Sequence, residues 1–429
     1  MLLPSELGEK EFLSAFFTKF AQLSNPKMHV LIVGAGLGGL SLAQNLRKRG
    51  ISFEIFERES EANARWQGWA ITLHSIVDAV VDSYPSDMPD LRDSVNHLTP
   101  LQLPAQVTVY APGKEGRFSF QDSPDSPLIR AESQRLRTWL STNAPVQWDN
   151  HTDSISEDDE GVSLSFKDGT TARGDIVVGA DGINSVVRSN LIKRPAKDLQ
   201  NVIPVATTLG ELDLSGEEFK RQLALGNSGI TCMQPDLGFV SFVGLHFVHP
   251  DGLSARYYWN LMEYDSDVAK PDHWMKTATK KEKLDHGLKI TEKLPPKLRD
   301  IFELTKPEQI REEQHVWRDL EIESLPAGRV VLMGDAAHAM MPIRGEGGYH
   351  ALVDSLVLGE TLGQLAERDT FKDLDDVKRI TAEYNDSLIQ RGLQAVRDSR
   401  RLYLDVTRYG PDGRPLGAKE VPTTKPCQT

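Results

Sequence analysis

The sequence predicts an α/β fold: a nucleotide-binding part divided in sequence, a β-rich part inserted between its halves, and a helical segment after them. Three observations carry this expectation. Residues 28–57 read as strand, glycine-rich turn, helix and second strand, the turn being Gly34-Ala35-Gly36-Leu37-Gly38-Gly39. Two later apolar runs also end in small residues and an acid, at Gly179-Ala180-Asp181-Gly182 and at Gly334-Asp335. Between these runs, over about 202–306, the apolar pattern changes to the period-two alternation of half-buried strands.

The first unit is a βαβ with a dinucleotide fingerprint: a strand over His29–Val33, a helix running to Arg49, a stop at Gly50 and a second strand ending at Phe56. Gly34 makes the tight turn, Gly36 lets the backbone approach a pyrophosphate and Gly39 permits close packing of helix on strand. Phosphates are then expected at the helix N-terminus. Glu57, closing the second strand, is placed to accept hydrogen bonds from an adenosine ribose, which favours a nucleotide without a 2′-phosphate. The unit by itself is equally compatible with NAD and FAD.

The following stretch, from Arg65 to His74, holds Trp66, Gly68, Trp69 and Ala70 before a helix expected over Ser75–Asp82. Two tryptophans beside a glycine suit a segment that covers a planar ligand, although either one alone reads as core packing. From Asp90 to Ser126 the chain is rich in Pro, Asp and Ser around one alternating strand near Val107–Tyr110, which reads as an insertion outside the nucleotide-binding core. Arg130–Leu140 has a helical pattern whose arginines, Arg130 and Arg137 among them, either reach a pyrophosphate or are solvated, with solvation the default. A hairpin with a turn at Lys167-Asp168-Gly169-Thr170 precedes the second motif, and Ser185 and Arg188 fall on the next helical turn. In the middle third, Tyr257, Trp259 and Leu261 share one strand face and Tyr258, Asn260 and Met262 the other. Such a sheet can floor an apolar ligand site. After Gly334-Asp335 come Pro342 and the Gly345–Gly348 loop, then a long helix from about Tyr349 to Glu367 with Leu352, Ser355, Leu356, Gly359 and Leu362 inward. The glycines allow a flat ring system to approach the N–H groups of that helix. A charged helical segment over Val377–Thr407 and an irregular tail from Tyr409 complete the chain.

Composition narrows the field. Hydrophobic residues make up 39% of the 429, enough for an ample core. With 49 basic against 62 acidic residues the net charge is −13, and no basic block with interleaved aromatics occurs, which disfavours nucleic acid as a partner. The cysteines, Cys232 and Cys427, are far apart, leaving no disulfide framework and no zinc-ligand spacing; a reducing cytoplasmic setting is expected. No apolar run approaches the roughly 20 residues of a membrane span. At the N-terminus, Phe12, Phe16, Phe17 and Phe20 recur at helical spacing, and acids on the polar face favour packing on the body or on a second subunit, as in a homodimer.

With all three motifs together, the sequence resembles the flavin-dependent aromatic-hydroxylase family, the single-component FAD monooxygenases typified by para-hydroxybenzoate and salicylate hydroxylases, and in particular their fungal secondary-metabolism members. The resemblance runs over residues 28 to about 400. It implies a Rossmann-like FAD-binding domain over 28–190 and 311–367, an inserted β-sheet substrate domain over 191–310 and C-terminal helices over 368–410, with an amphipathic helix at 1–27 and an irregular tail at 411–429. It places FAD against Gly34, Gly36, Gly38, Gly39 and Glu57, with Ala70 beside it, Asp181 shaping the flavin and nicotinamide sites, Asp335 at the ribityl or ribose region, and Gly347 and Gly348 by the ring. Two positions depart from the family pattern. Ser133 replaces the usual arginine at the start of the Arg-x-x-Leu helix, so that Arg130 or Arg137 is left to take its contact, and Tyr349 replaces the usual asparagine after the glycine loop.

The implied chemistry is reduction of FAD by NADPH or NADH, reaction with O2 to a flavin C4a-hydroperoxide, and hydroxylation or epoxidation of an apolar aromatic or polyene small molecule. No catalytic acid or base is assigned; His338 reads as structural or near the pyrophosphate, while His74 and His350 lie closer to segments facing the flavin. A flavin oxidase or dehydrogenase on the same scaffold, or a flavin-binding scaffold without turnover, are the competing expectations.

Overall fold

The computed structural model describes residues 28–66, 68–110, 117–234, 238–312 and 316–401. The amphipathic helix expected at 1–27, the tail from Tyr409 and Cys427 lie outside the described residues.

At the centre is a five-stranded parallel sheet in the order Val330–Leu332, Ile176–Gly179, His29–Val33, Ser52–Phe56, Val146–Gln147. Helices cover it, so Val30, Leu31, Ile32, Val177, Val178 and Val331 are fully buried, which is why these strands read as unbroken apolar runs. The helix Leu37–Arg49 stops at Gly50, which takes the left-handed conformation (φ 67°) and donates to Arg47 O and Leu46 O. That helix packs on the long helix Gly347–Arg368, where Ser41, Ser355 and Tyr84 share buried hydroxyl contacts. A three-stranded antiparallel sheet, Thr152–Asp158, Gly161–Phe166 and Thr171–Gly174, lies beside this core around the expected turn.

A second sheet has six strands in the order Val205–Ser215, Ser254–Tyr264, Phe239–Val248, Gly229–Gln234, Gln106–Tyr110, Arg117–Gln121. Its Tyr257, Trp259 and Leu261 face pack with Leu284, Leu298, Ile301 and Phe302 of the helices Lys280–Thr291 and Pro296–Leu304. The Trp259 indole N–H, fully buried, donates to Thr305 Oγ1 at 2.9 Å. Gly210 lies under that indole, and a Cβ there would sit 2.4 Å from ring carbon. Gly210→Ala is therefore expected to lower unfolding free energy by about 1–3 kcal/mol through overpacking; a denaturant midpoint equal to wild type would contradict this packing.

Two sequence expectations change here. The stretch around Val107–Tyr110 lies outside the nucleotide-binding core, as expected, but it falls within the 28–190 bounds only in sequence: it supplies two strands of the second sheet, with Gln106–Tyr110 parallel to Gly229–Gln234. Alternation identifies a strand but carries no information on its partner. The helix expected from Arg130 instead begins at Ser133, because the Glu132 carboxylate caps it by accepting from Gln134 N at 3.1 Å and Arg135 N at 2.8 Å. Ile129–Glu132 is a strand paired antiparallel with Ala70–Leu73, so Arg130 and Arg137 stand on different elements.

The last helix, Leu374–Arg401, is docked by Arg400, whose buried guanidinium pairs with Asp319 and Glu321. Among the described residues no helix is long and apolar enough to cross a membrane, and no group of side chains has a metal-binding arrangement.

Candidate functional site

Three loops leave the carboxyl ends of three adjacent strands of the parallel sheet, the place where open α/β sheets bind ligands. Backbone hydrogen bonds lace them together: Gly34 N donates to Phe56 O at 2.8 Å, Ala180 N to Val33 O at 2.8 Å and Met333 N to Gly179 O at 3.0 Å. Gly34 has φ +108°, and a Cβ on it would lie 2.4 Å from Ala180 O, so the turn and the contact with the second loop both require glycine. A Cβ on Gly39 would lie 2.1 Å from Gly34 O. Gly36 and Gly347 differ from these: a Cβ at either would meet nothing within 4 Å. They border open space at the N-termini of the helices Leu37–Arg49 and Gly347–Arg368, neither of which has a side-chain cap. Gly38 and Gly348 serve packing: a Cβ on them would lie 3.2 Å from Met333 Cε and 2.9 Å from Ile71 Cδ1.

The acids take distinct positions. Glu57 is buried against the first loop, one oxygen accepting from Ala35 N at 2.8 Å and the other from Glu59 N at 3.1 Å. Asp181 turns inward and accepts from Val186 N at 2.7 Å and Val187 N at 3.2 Å, holding the start of the helix Val186–Ile192; burial raises its carboxyl. Arg188, fully buried, bridges the second and third loops by donating to Ile183 O at 2.5 Å and Ala336 O at 2.7 Å, and burial pulls it down to about 10. Asp335, at the start of the third loop, is exposed yet hemmed in by protein, and this confinement, with the Asp354 carboxylate nearby, raises its carboxyl above the ordinary range. Among the described residues it has no hydrogen-bond partner.

Beneath Asp335 lies a buried network that local sequence did not reveal. Asp354, fully buried on the long helix, accepts from Gly334 N at 2.7 Å, contacts His338 Nε2 at 2.7 Å and pairs with Arg391 Nη1 at 2.7 Å. Burial works against the charge on His338, but Asp354 outweighs it and the imidazole titrates above its ordinary value. His338 is thus structural. His350, beside it, is pushed down to about 4 by burial and by the His338 charge. His74 stacks on Tyr349, rings 4.3 Å apart, and burial lowers its pKa. The only hint of Asp354 in the sequence was an acid two residues from Leu352 and Leu356, and Leu356 itself is only half-buried.

The two arginines separate. Arg137 is buried over the first loop, its Nε donating to Ala35 O at 3.0 Å and Nη1 to Ala62 O, with its guanidinium 5.4 Å from the Trp148 ring centroid. Arg130 is also buried but points to the large sheet, donating to Thr72 Oγ1 at 2.9 Å and to the Tyr258 hydroxyl. Solvation, the default expectation, holds for neither. Ser133 N donates to Trp69 O at 3.0 Å, next to Ala70. Trp69 stacks on Tyr258 with rings 4.2 Å apart and nearly parallel, and Trp66 meets Trp69 edge-on. The tryptophan segment therefore joins the nucleotide side to the Tyr258, Asn260 and Met262 face of the sheet.

These residues fit FAD. Two uncapped helix N-termini border open space at Gly36 and Gly347, Glu57 stands at the first loop, and Asp335, at the third loop, is exposed with its carboxylate unpartnered among the described residues. Comparison with known proteins agrees. A profile described as FAD binding domain matches residues 132–375, and one described as NAD(P)-binding Rossmann-like domain matches residues 32–93. The FAD-dependent monooxygenase thnD of Trichoderma harzianum is 51% identical over 87% of this chain and 92% of that protein. A probable FAD-dependent monooxygenase of Arthroderma benhamiae is 28% identical over 89% and 92%. Among solved structures, 2,6-dihydroxypyridine-3-hydroxylase from Arthrobacter nicotinovorans superposes with a TM-score of 0.66 at 19% identity, covering 89% of this chain and 94% of that one. Klebsiella pneumoniae HpxO, complexed with FAD and uric acid, superposes with a TM-score of 0.63 at 20% identity over 87% of each chain. The chain belongs to the FAD-dependent monooxygenases built on this FAD-binding domain.

Proposed function

We propose that this monooxygenase uses NADPH or NADH and O2 to hydroxylate or epoxidise an apolar aromatic or polyene metabolite, in the cytoplasm of a fungus and in secondary metabolism. The observation that carries the reading is the convergence of the Gly36, Asp335 and Gly347 loops opposite the aromatic face of the large sheet. When bound, FAD supplies the redox chemistry, taking electrons from the nicotinamide and passing one oxygen atom of O2 to the substrate. The protein's part is placement. The Leu37–Arg49 N-terminus and the Gly36 backbone would hold the pyrophosphate, Glu57 the adenosine ribose and Asp335 the ribityl hydroxyls, with Arg137 fixing the first loop. The N-terminus of the helix Gly347–Arg368, with its glycines, would favour negative charge on the ring. Trp69 and Tyr258 exclude water on the substrate side. A homodimer, with the N-terminal helix at its interface, is part of the same reading.

Purified protein should show a flavin spectrum, release FAD on heating, and consume NAD(P)H and O2 together when an acceptor is present. Consumption of substrate electrons without NAD(P)H would move the assignment to an oxidase. Asp335→Ala is expected to lower FAD affinity by about 10- to 100-fold, the loss of one or two charge-assisted hydrogen bonds, while far-UV circular dichroism stays that of wild type. Full flavin occupancy in this variant would displace Asp335 from the site.

A further inference from the structure

Among the described residues, Arg130 carries a charge with no carboxylate beside it. The residue is 6% exposed, Nη1 and Nη2 are held by Thr72 and Tyr258, both neutral, and the Phe242 ring lies 5.1 Å from the guanidinium carbon. Its Nε is enclosed without a hydrogen-bond partner. The acid nearest in sequence, Glu132, is committed to His246 at 3.3 Å and to the helix N–H groups of Gln134 and Arg135. Among the described residues no carboxylate pairs with Arg130. A second donor in the same cluster is also unsatisfied: the indole Nε1 of Trp69, which stacks on Tyr258, is buried without a partner. A buried cation lacking a counter-charge costs several kcal/mol, and two buried donors without an acceptor add to that. A ligand oxyanion would supply the missing counter-charge and an acceptor.

We infer that Arg130, with Trp69, anchors an anionic oxygen of the substrate, a carboxylate, phenolate or enolate on an otherwise apolar ring or chain. The inference rests on the monooxygenase reading and narrows its substrate class. The aromatic rings of Trp69, Tyr258 and Phe242 supply flat apolar surface beside the charge, and Thr72 Oγ1, which holds Arg130 Nη1, lies 3.9 Å from the position a Cβ would take on Gly345 of the glycine loop. The anchored group would therefore hold the substrate close to where the flavin ring is expected. Arg130 and Trp69 act here as specificity-determining residues.

The test uses the FAD-loaded full chain and paired probes of one shape: 2-naphthoate against 2-naphthamide, and 4-nitrophenolate against 4-nitroanisole, read by flavin absorbance and tryptophan fluorescence. Binding of at least one anion about tenfold tighter than its neutral partner is expected, the factor that roughly 1.4 kcal/mol produces; which pair shows it separates a carboxylate from a phenolate site. Arg130→Met should bring that ratio to within about twofold, Arg130→Lys should keep part of it, and Trp69→Phe should weaken the anion more than the neutral probe. FAD content and flavin midpoint potential should stay those of wild type in all three. Equal binding of anionic and neutral probes overturns the inference, as does a preference that survives Arg130→Met. If Arg130→Met instead shifts the flavin potential and leaves the anion preference intact, the counter-charge is the reduced flavin and the inference fails. A chain that takes up no FAD at all would sink the monooxygenase reading before any probe is added.

Discussion

Gly34→Ala is expected to abolish FAD retention and to destabilise the fold, whereas Gly36→Ala should weaken FAD binding and leave the fold intact. The first substitution meets two obstacles. Its φ of +108° strains any residue with a Cβ, and that Cβ would press to 2.4 Å from Ala180 O. Left-handed strain and overpacking together amount to roughly 2–5 kcal/mol. Relief requires the first and second loops to part, and both border the space proposed for the phosphates. At Gly36 the added Cβ meets no protein atom within 4 Å and projects into the space proposed for the pyrophosphate. Urea unfolding with FAD titration by fluorescence quenching separates the two. If Gly36→Ala bound FAD as wild type does, the pyrophosphate would have to be placed elsewhere.

Asp354→Asn should be as damaging, although it lies on the far side of the Gly334 loop. The wild-type carboxylate fixes Gly334 N at 2.7 Å and balances His338 and Arg391 in a site with no exposure of its own. Removing one member of a buried ion pair costs about 3–5 kcal/mol. FAD affinity should fall along with stability, because Gly334 sets the direction of Asp335. The pH dependence carries the signature. His338 titrates above its ordinary 6.5, so its contribution is complete below that value and is lost as pH rises through the raised one. In Asp354, burial opposes ionisation, yet His338 and Arg391 hold the carboxyl below its ordinary 3.8; its contribution is complete above 3.8 and is lost as pH falls through the lowered value. The pair thus stabilises fully between 3.8 and 6.5, and Asp354→Asn should flatten the alkaline loss. A thermal-melt profile whose alkaline slope matched that of wild type would remove the pair from this account.

What could be read from sequence was what is local. His29–Val33, Gly34, Gly39, Gly50 and the strand ending at Phe56 form one contiguous unit whose turn, stop and periodicity sit within thirty residues, and the structure has the same first strand and the same end to the second. The two later motifs were legible for the same reason, as strands ending in Gly-Asp or Ala-Asp. Partners across the chain were not. Gln106–Tyr110 has the alternation of a strand but, with its neighbour Arg117–Gln121, joins a sheet whose four other members begin about a hundred residues later, and only long-range packing decides that. Asp354 carried little signal in the sequence because its partners approach from two other segments, Gly334 and His338 from the third loop and its short helix and Arg391 from the last helix. Arg130 and Arg137 seemed to share a helix until the Glu132 cap divided them.

The three loops that frame the crevice come from chain segments near residues 34, 181 and 335, yet they meet on neighbouring strands of one sheet. A growing chain on the ribosome therefore has no flavin site until its third motif has emerged, some three hundred residues after its first. Flavin can act only as a late seal on an already collapsed chain, and abundance of the enzyme in cells short of riboflavin should be set by degradation of finished, empty chains rather than by failure of nascent ones.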